Sequence, residues 1–204
     1  MILKIYPENP NPKAISQIIS VLENDGVIIY PTDSVYGIGC DIHNHKAAAR
    51  VAQIKGVKLE QANFSLIFND MSQLSEYVRQ LNNNTFKLMK HCLPGPFTFI
   101  LNAGNKVPKI FTQKKKTIGI RIPDNNIIRA IVKSLEHPIL TTSVKDDDEI
   151  VEYTTNPELI HERYEKLVDL VIDGGYGNNV GTTIVDCTGE KPVLIRKGIG
   201  NIDF

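Results

Sequence analysis

Apolar residues along the chain switch repeatedly between helical spacing and short unbroken runs. Ala14, Ile15, Ile18, Ile19 and Leu22 repeat at helical intervals behind Asn11-Pro12, a capping side chain followed by a proline suited to a first helical turn. Gly26 is expected to end that helix by taking a positive φ. Val27-Ile28-Ile29-Tyr30 is entirely apolar, the mark of a strand buried on both faces, and Pro31-Thr32-Asp33-Ser34 follows as a polar loop. The same grammar predicts helices over 47–54, over 71–81 behind Asp70, over 85–92 behind Asn84, over 126–135, and from Asn156-Pro157 to about 167. Strands are predicted over 65–68, 97–101, 117–122, 139–142, 168–172, 183–185 and 193–195, with Pro94-Gly95-Pro96 breaking the chain before the second of these.

The helices are short and the last strands lie close together in sequence. That pattern argues for an α/β fold with a mixed rather than purely parallel sheet. There is no repeat and no low-complexity linker, and 204 residues suit a single domain over 1–204. Lys145-Asp146-Asp147-Asp148-Glu149, the most polar stretch, reads as an exposed loop.

Composition narrows the class. The 23 basic and 23 acidic residues cancel, so global charge gives no reason to expect binding along a polyanion, although a local basic patch such as Lys114-Lys115-Lys116 stays open. The N-terminus reaches Pro7-Glu8 too soon for a signal peptide, and no run approaches the roughly 18 apolar residues of a membrane span. A cytoplasmic protein with no membrane contact is expected. Cys40, Cys92 and Cys187 are odd in number and far apart, without CxxC or a Cys/His spacing typical of zinc. They read as reduced thiols packed as small core residues, and no metal ligands are predicted.

Ligands of open α/β sheets bind beyond the carboxyl ends of strands. Thr32 and Ser34, Arg121, Thr142 and Ser143, and Arg196 all fall in or after predicted strands at such ends. Hydroxyls and backbone N–H groups suit phosphate and carboxylate oxygens, and arginine adds a planar fork. An anionic small molecule such as a nucleotide fits that set. Each residue also has a plainer role: Thr32 to Ser34 as a turn, Arg121 as a surface residue, Gly37 and Gly39 as backbone requirements. There is no GxxxxGK[ST], GxGxxG, HExxH, GxSxG or kinase signature. Spacing alone stops at a small-molecule-binding α/β domain.

Several segments taken together go further. Tyr30-Pro31-Thr32-Asp33-Ser34-Val35-Tyr36-Gly37-Ile38 resembles the P-T-[DE]-[ST]-x-Y-G-[IL] segment of the YrdC-like family. Leu93-Pro94-Gly95-Pro96-Phe97-Thr98 resembles its P-G-P-[YF]-T loop, and Thr117-Ile118-Gly119-Ile120-Arg121-Ile122-Pro123 its R-x-P strand. Thr142-Ser143, Asp173-Gly174-Gly175, Thr182-Thr183-Ile184-Val185-Asp186 and Val193-Leu194-Ile195-Arg196-Lys197-Gly198 follow in the family's order, so the likeness covers nearly the whole chain. The resemblance implies a twisted mixed parallel and antiparallel sheet with flanking helices around a large concave, electropositive cavity. It implies synthesis of threonylcarbamoyl-AMP from L-threonine, bicarbonate and ATP with release of pyrophosphate, for modification of adenosine 37 in tRNAs. Mg²⁺ is expected with the ATP. By the same resemblance Ser34 and Arg121 hold threonine, with Thr32, Thr142 and Thr182 beside them. Thr117, Ser143, Arg196, Lys55 and Asn63 serve the nucleotide.

Two motifs depart from the family pattern. Lys55-Gly56-Val57-Lys58 keeps the first lysine of K-x-R but has Val57 for the arginine, and Ser143-Val144-Lys145 has lysine for the asparagine of S-x-N. The altered S-x-N and Asn63-Phe64-Ser65-Leu66 both resemble the YciO-type branch of the family. The resemblance therefore carries two expectations: a threonylcarbamoyl-AMP synthase of weakened activity, or a nucleotide- or double-stranded-RNA-binding module without that activity.

Overall fold

The computed structural model describes residues 1–112, 116–144 and 152–202. Lys114, Lys115 and Lys145, and with them the predicted 145–149 loop, lie outside the described residues. Helix α1 (Pro12–Glu23) begins where the cap predicts: the Asn11 side chain accepts the Lys13 N–H at 2.8 Å. Its end differs from expectation. Asp25 takes the positive φ (61°) and Gly26 does not. Gly26 is there for room: its N–H donates to the Val21 carbonyl at 2.9 Å, and a Cβ would sit 2.3 Å from that oxygen. Helices α2 (His45–Ile54) and α4 (Asn126–Leu135) match the apolar spacing, with Asn44 and Asn125 as caps. Helix α3 (Asn83–Cys92) starts two residues early because Asn82, not Asn84, receives the Thr85 N–H. Helix α5 (Glu152–Thr155) precedes α6 (Pro157–Tyr164). The latter stops short of 167 because the N–H groups of Leu167 and Val168 both turn back to the Tyr164 carbonyl.

The predicted helix over 71–81 is a 3₁₀ segment, Met71–Glu76. Beyond it the backbone pairs elsewhere: Arg79 N–H donates to Asn102 and Val78 bridges Ala103, so the chain has a sheet edge to satisfy rather than a helical turn to continue.

Among the described residues ten strands form one sheet: β1 (Ile2–Lys4), β2 (Ile28–Tyr30), β3 (Gly37–Asp41), β4 (Ser65–Ile67), β5 (Phe97–Asn102), β6 (Thr117–Arg121), β7 (Ile139–Ser143), β8 (Leu170–Asp173), β9 (Thr183–Asp186) and β10 (Val193–Arg196). The order is β1-β8-β2-β3-β7-β4-β6-β5-β9-β10. Pairs β1/β8, β8/β2, β4/β6 and β5/β9 are parallel and the rest antiparallel, so the sheet is mixed and open, with helices on both sides.

The two faces of the sheet are covered unequally. One carries α2, α3 and α6, whose Ala48, Val51, Met89 and Ile160 pack with Ile38, Leu66, Phe99, Ile120 and Leu140. The other carries α1 and α4, whose Ile15, Ile18, Leu22, Ile127, Ile131 and Leu135 close over Ile28, Ile67, Ile139, Leu170 and Ile172. Each buried aliphatic side chain here stabilises the fold by roughly 1.5–3 kcal/mol. On this second face the helices reach as far as β4 through Ile67. Beyond it Ser65, Gly119, Thr98, Ile100 and Ile184 line open space, and this uncovered half forms a hollow. The three cysteines are buried and unpaired, as their spacing suggests.

Candidate functional site

A cross-strand row of mostly small residues leads into the hollow, which its Thr141, Ser65, Gly119 and Ile100 line. Gly39 pairs with Thr141, Thr141 with Ser65, Ser65 with Gly119, and Gly119 with Ile100. Directly paired residues share a face, so the row runs across five strands on the open side. Gly119 is needed for close approach: a Cβ there would lie 2.3 Å from Ser65 Oγ. Two joined lobes result, of about 500 and 590 Å³, which share Asn63, Ser65, Thr98 and Ile184.

The deep end is built on the turn between β2 and β3. Thr32 Oγ1 accepts the Ser34 N–H at 3.0 Å and donates to the Val35 carbonyl at 2.8 Å, fixing the Thr32 hydroxyl. Arg121 ends β6, where alternation with Ile118 and Ile120 turns it to the open side. It is 8% exposed. Its Nη2 donates to Asp33 Oδ1 and to Ser34 Oγ, each at 3.0 Å. Asp33 in turn accepts the Asp124 N–H at 2.8 Å, tying this turn to the loop before α4. Burial pushes the Asp33 carboxyl up, with the Arg121 charge and the Asp124 N–H opposing it. Burial likewise pushes Arg121 down against the pull of Asp33. The Nε of Arg121 is buried with no hydrogen-bond partner among the described residues. An unmet buried donor costs about 1–3 kcal/mol, and a carboxylate or phosphate oxygen is the group that would meet it.

Beside Arg121, Tyr30 donates to Thr141 Oγ1 at 2.5 Å, and burial raises its phenol. The Thr98 and Thr182 hydroxyls are 2.8 Å apart. At the other end Arg196, exposed on edge strand β10, donates from Nη2 to the Thr182 carbonyl at 3.1 Å. Tyr36 fastens the rim by donating to the Gly175 carbonyl at 2.7 Å.

Ser34, Asn63, Arg121, Thr142, Ser143, Thr182 and Arg196 therefore line the first lobe together, and Thr117 lines the second with Asn63. Thr32 lines an adjoining depression with Asp33 and Ser34. Lys55 caps the C-terminus of α2 and is not among the residues lining the hollow; Val57, at 43% exposure, is likewise outside it. The sequence reading missed Ser65, Thr98 and Thr141 as lining groups and Asp33 as the partner of Arg121. A usable signal was present: Thr98 between Phe97 and Phe99, and Gly119 between Ile118 and Ile120, interrupt one face of an alternating strand while leaving the other apolar. Among the described residues the first lobe is lined by Arg121, Arg196 and Lys197 and by no carboxylate.

Residues 20–198 match the model of the Sua5/YciO/YrdC family, described as telomere recombination. The chain is 40% identical over 200 residues to the uncharacterised YciO protein of Escherichia coli K12, covering 97% of this chain and 95% of that one. The E. coli YciO crystal structure superposes with a TM-score of 0.90, covering 98% of this chain and 97% of that one. The threonylcarbamoyl-AMP synthase of Coxiella burnetii is 28% identical over 189 residues, covering 92% and 94% of the two chains. The structure of P. abyssi Sua5 complexed with L-threonine shares the fold at a TM-score of 0.85 and 24% identity, covering 97% of this chain and 57% of that one.

Proposed function

The chain belongs to the Sua5/YciO/YrdC family, and from that premise we propose that its hollow binds L-threonine and ATP and joins them, with bicarbonate, as threonylcarbamoyl-AMP. The observation that carries this reading is the buried Arg121 with its unmet Nε, at the deep end of a hydroxyl-lined lobe free of carboxylates among its described residues. Arg121 and Ser34 take the threonine carboxylate, with the Thr32, Thr142 and Thr182 hydroxyls nearby. Arg196, Ser143, Thr117 and Asn63 face the nucleotide from the open end. The threonine amine adds to carbon dioxide derived from bicarbonate and loses a proton to solvent. The resulting carbamate oxygen attacks the α-phosphorus, and pyrophosphate leaves with the electron pair of the broken P–O bond. The protein's part is positioning and charge stabilisation. Mg²⁺ would ride on phosphate oxygens, since the described lining of the first lobe offers it no carboxylate.

A second reading has its own support. Val57 is exposed and Lys55 is away from the hollow, so the degraded K-x-R segment adds no arginine to the nucleotide end. A nucleotide- or RNA-binding module without turnover fits that feature. Purified protein incubated with threonine, labelled bicarbonate and ATP separates the two. We expect ATP-dependent threonylcarbamoyl-AMP with matching pyrophosphate, lost in Arg121→Lys, which keeps charge but not the fork. ATP binding by calorimetry without product would select the binding-only reading. Neither binding nor product would remove both.

A further inference from the structure

We propose that Asp41, His43 and His137 form a binding site for a divalent transition-metal ion of the zinc class, separate from the hollow. The three side chains come from three segments: the end of β3, the turn leading into α2, and the loop between α4 and β7. One ligand atom from each lies within 4.8 Å of the other two. Asp41 Oδ2 is 3.5 Å from His137 Nε2, and the two imidazole rings meet edge to face at 4.8 Å. Ligand atoms on a tetrahedral zinc with bonds near 2.0–2.1 Å are about 3.3 Å apart, so the Asp41–His137 edge already has that size. His43 is exposed and can swing the remaining distance without disturbing the core.

The surroundings orient the donors. Asp41 Oδ1 accepts the His43 backbone N–H at 2.8 Å, leaving Oδ2 to face His137. His137 Nδ1 lies 3.5 Å from the Pro138 carbonyl, so Nε2 is the ring nitrogen that faces Asp41. Two imidazoles and one carboxylate suit zinc, cobalt, nickel or copper and not magnesium or calcium. Three protein ligands leave a fourth position for water or an anion. Lys46 lines the same depression, with its ammonium directed to Asp25 at 3.6 Å. Asp41 pairs with Ile139 at one end of the β3/β7 ladder and Gly37 with Ser143 at the other, so the cluster sits four residues, about 13 Å, from the rim of the hollow. A metal there would clip the turn before α2 to the loop before β7.

The plain alternative is an ion pair between Asp41 and a protonated His137. Calorimetric titration of chelator-treated protein with zinc chloride distinguishes them, alongside a magnesium titration and anomalous scattering at the zinc edge in crystals. We expect one equivalent of zinc, no magnesium, and an anomalous peak among the three side chains. His43→Ala and His137→Ala should each weaken uptake at least about tenfold. His43 is exposed, so its variant should fold as the wild type does in chelator, and it decides the matter if His137→Ala is unstable. No saturable uptake at micromolar zinc, or uptake unchanged in His43→Ala, would overturn the proposal.

Discussion

Arg121 and Arg196 line the same lobe but are held in opposite ways. Arg121 is 8% exposed, ends a central strand and is fixed by Asp33, Ser34 and Thr32. Arg196 is exposed, ends an edge strand and makes one hydrogen bond to the Thr182 carbonyl. The deep end of the hollow is thus assembled before any ligand arrives and is part of what holds the β2–β3 turn to the loop before α4. The open end contributes charge that the fold hardly uses. Under the proposed function, structure and binding are entangled at the first arginine and separable at the second.

Breaking the deep end should have the largest effect. Arg121→Ala leaves the Asp33 carboxylate buried and unpaired, and should lower the unfolding free energy by about 3–5 kcal/mol. Arg121→Met combined with Asp33→Asn should recover much of it. Denaturant titration of the single and double variants checks both, and a single-variant loss below about 1 kcal/mol would erase the contrast between the two arginines.

Filling the floor comes next. Gly119→Ala should cost about 1–3 kcal/mol because its Cβ meets Ser65 Oγ. Adding Ser65→Ala should relieve part of that cost, which a double-mutant cycle on thermal unfolding would detect.

The pH dependence of the deep end follows from Asp33, whose folded pKa is raised by burial above the usual 3.8. Between those two values the native state holds more protons than the unfolded chain, so the Asp33 contribution to stability is largest below the unfolded pKa and falls as pH rises through the window. Asp33→Asn should lack this fall. Comparing the two proteins from acid to neutral pH tests the sign, and parallel curves would count against it.

Arg196→Ala should have the smallest structural effect, within about 0.5 kcal/mol of wild type in unfolding free energy. If the proposed function holds, ATP affinity should nevertheless fall about tenfold or more, and further than in Lys116→Ala. Equal ATP affinities in the two variants would move the nucleotide away from β10.

Legibility in the sequence varied with how local each feature was. The β2 run, the Asn11 and Asn156 caps and the α4 spacing were readable because cap and period are properties of a few consecutive residues. Strand β3 carries no clear strand signature: Gly37 and Gly39 depress the pattern, and they are tolerated because Tyr30 lies over that side of the strand. Strand β1 is short and lies at an edge, and only its parallel pairing with β8 makes it part of the sheet.

Local patterns in the chain suffice for the alternation of helix and strand, the mixed character of the sheet and the polar residues at strand ends. Which strands are neighbours emerges only in the folded molecule. From that follow the row from Thr141 to Ile100 that hollows the open face, the pairing of Arg121 with an aspartate 88 residues away, and the meeting of His137 with Asp41 and His43. The reason is that periodicity records which side of an element faces apolar surroundings, whereas strand order and register are settled by competition among all elements for burial, and no short stretch of chain encodes its outcome.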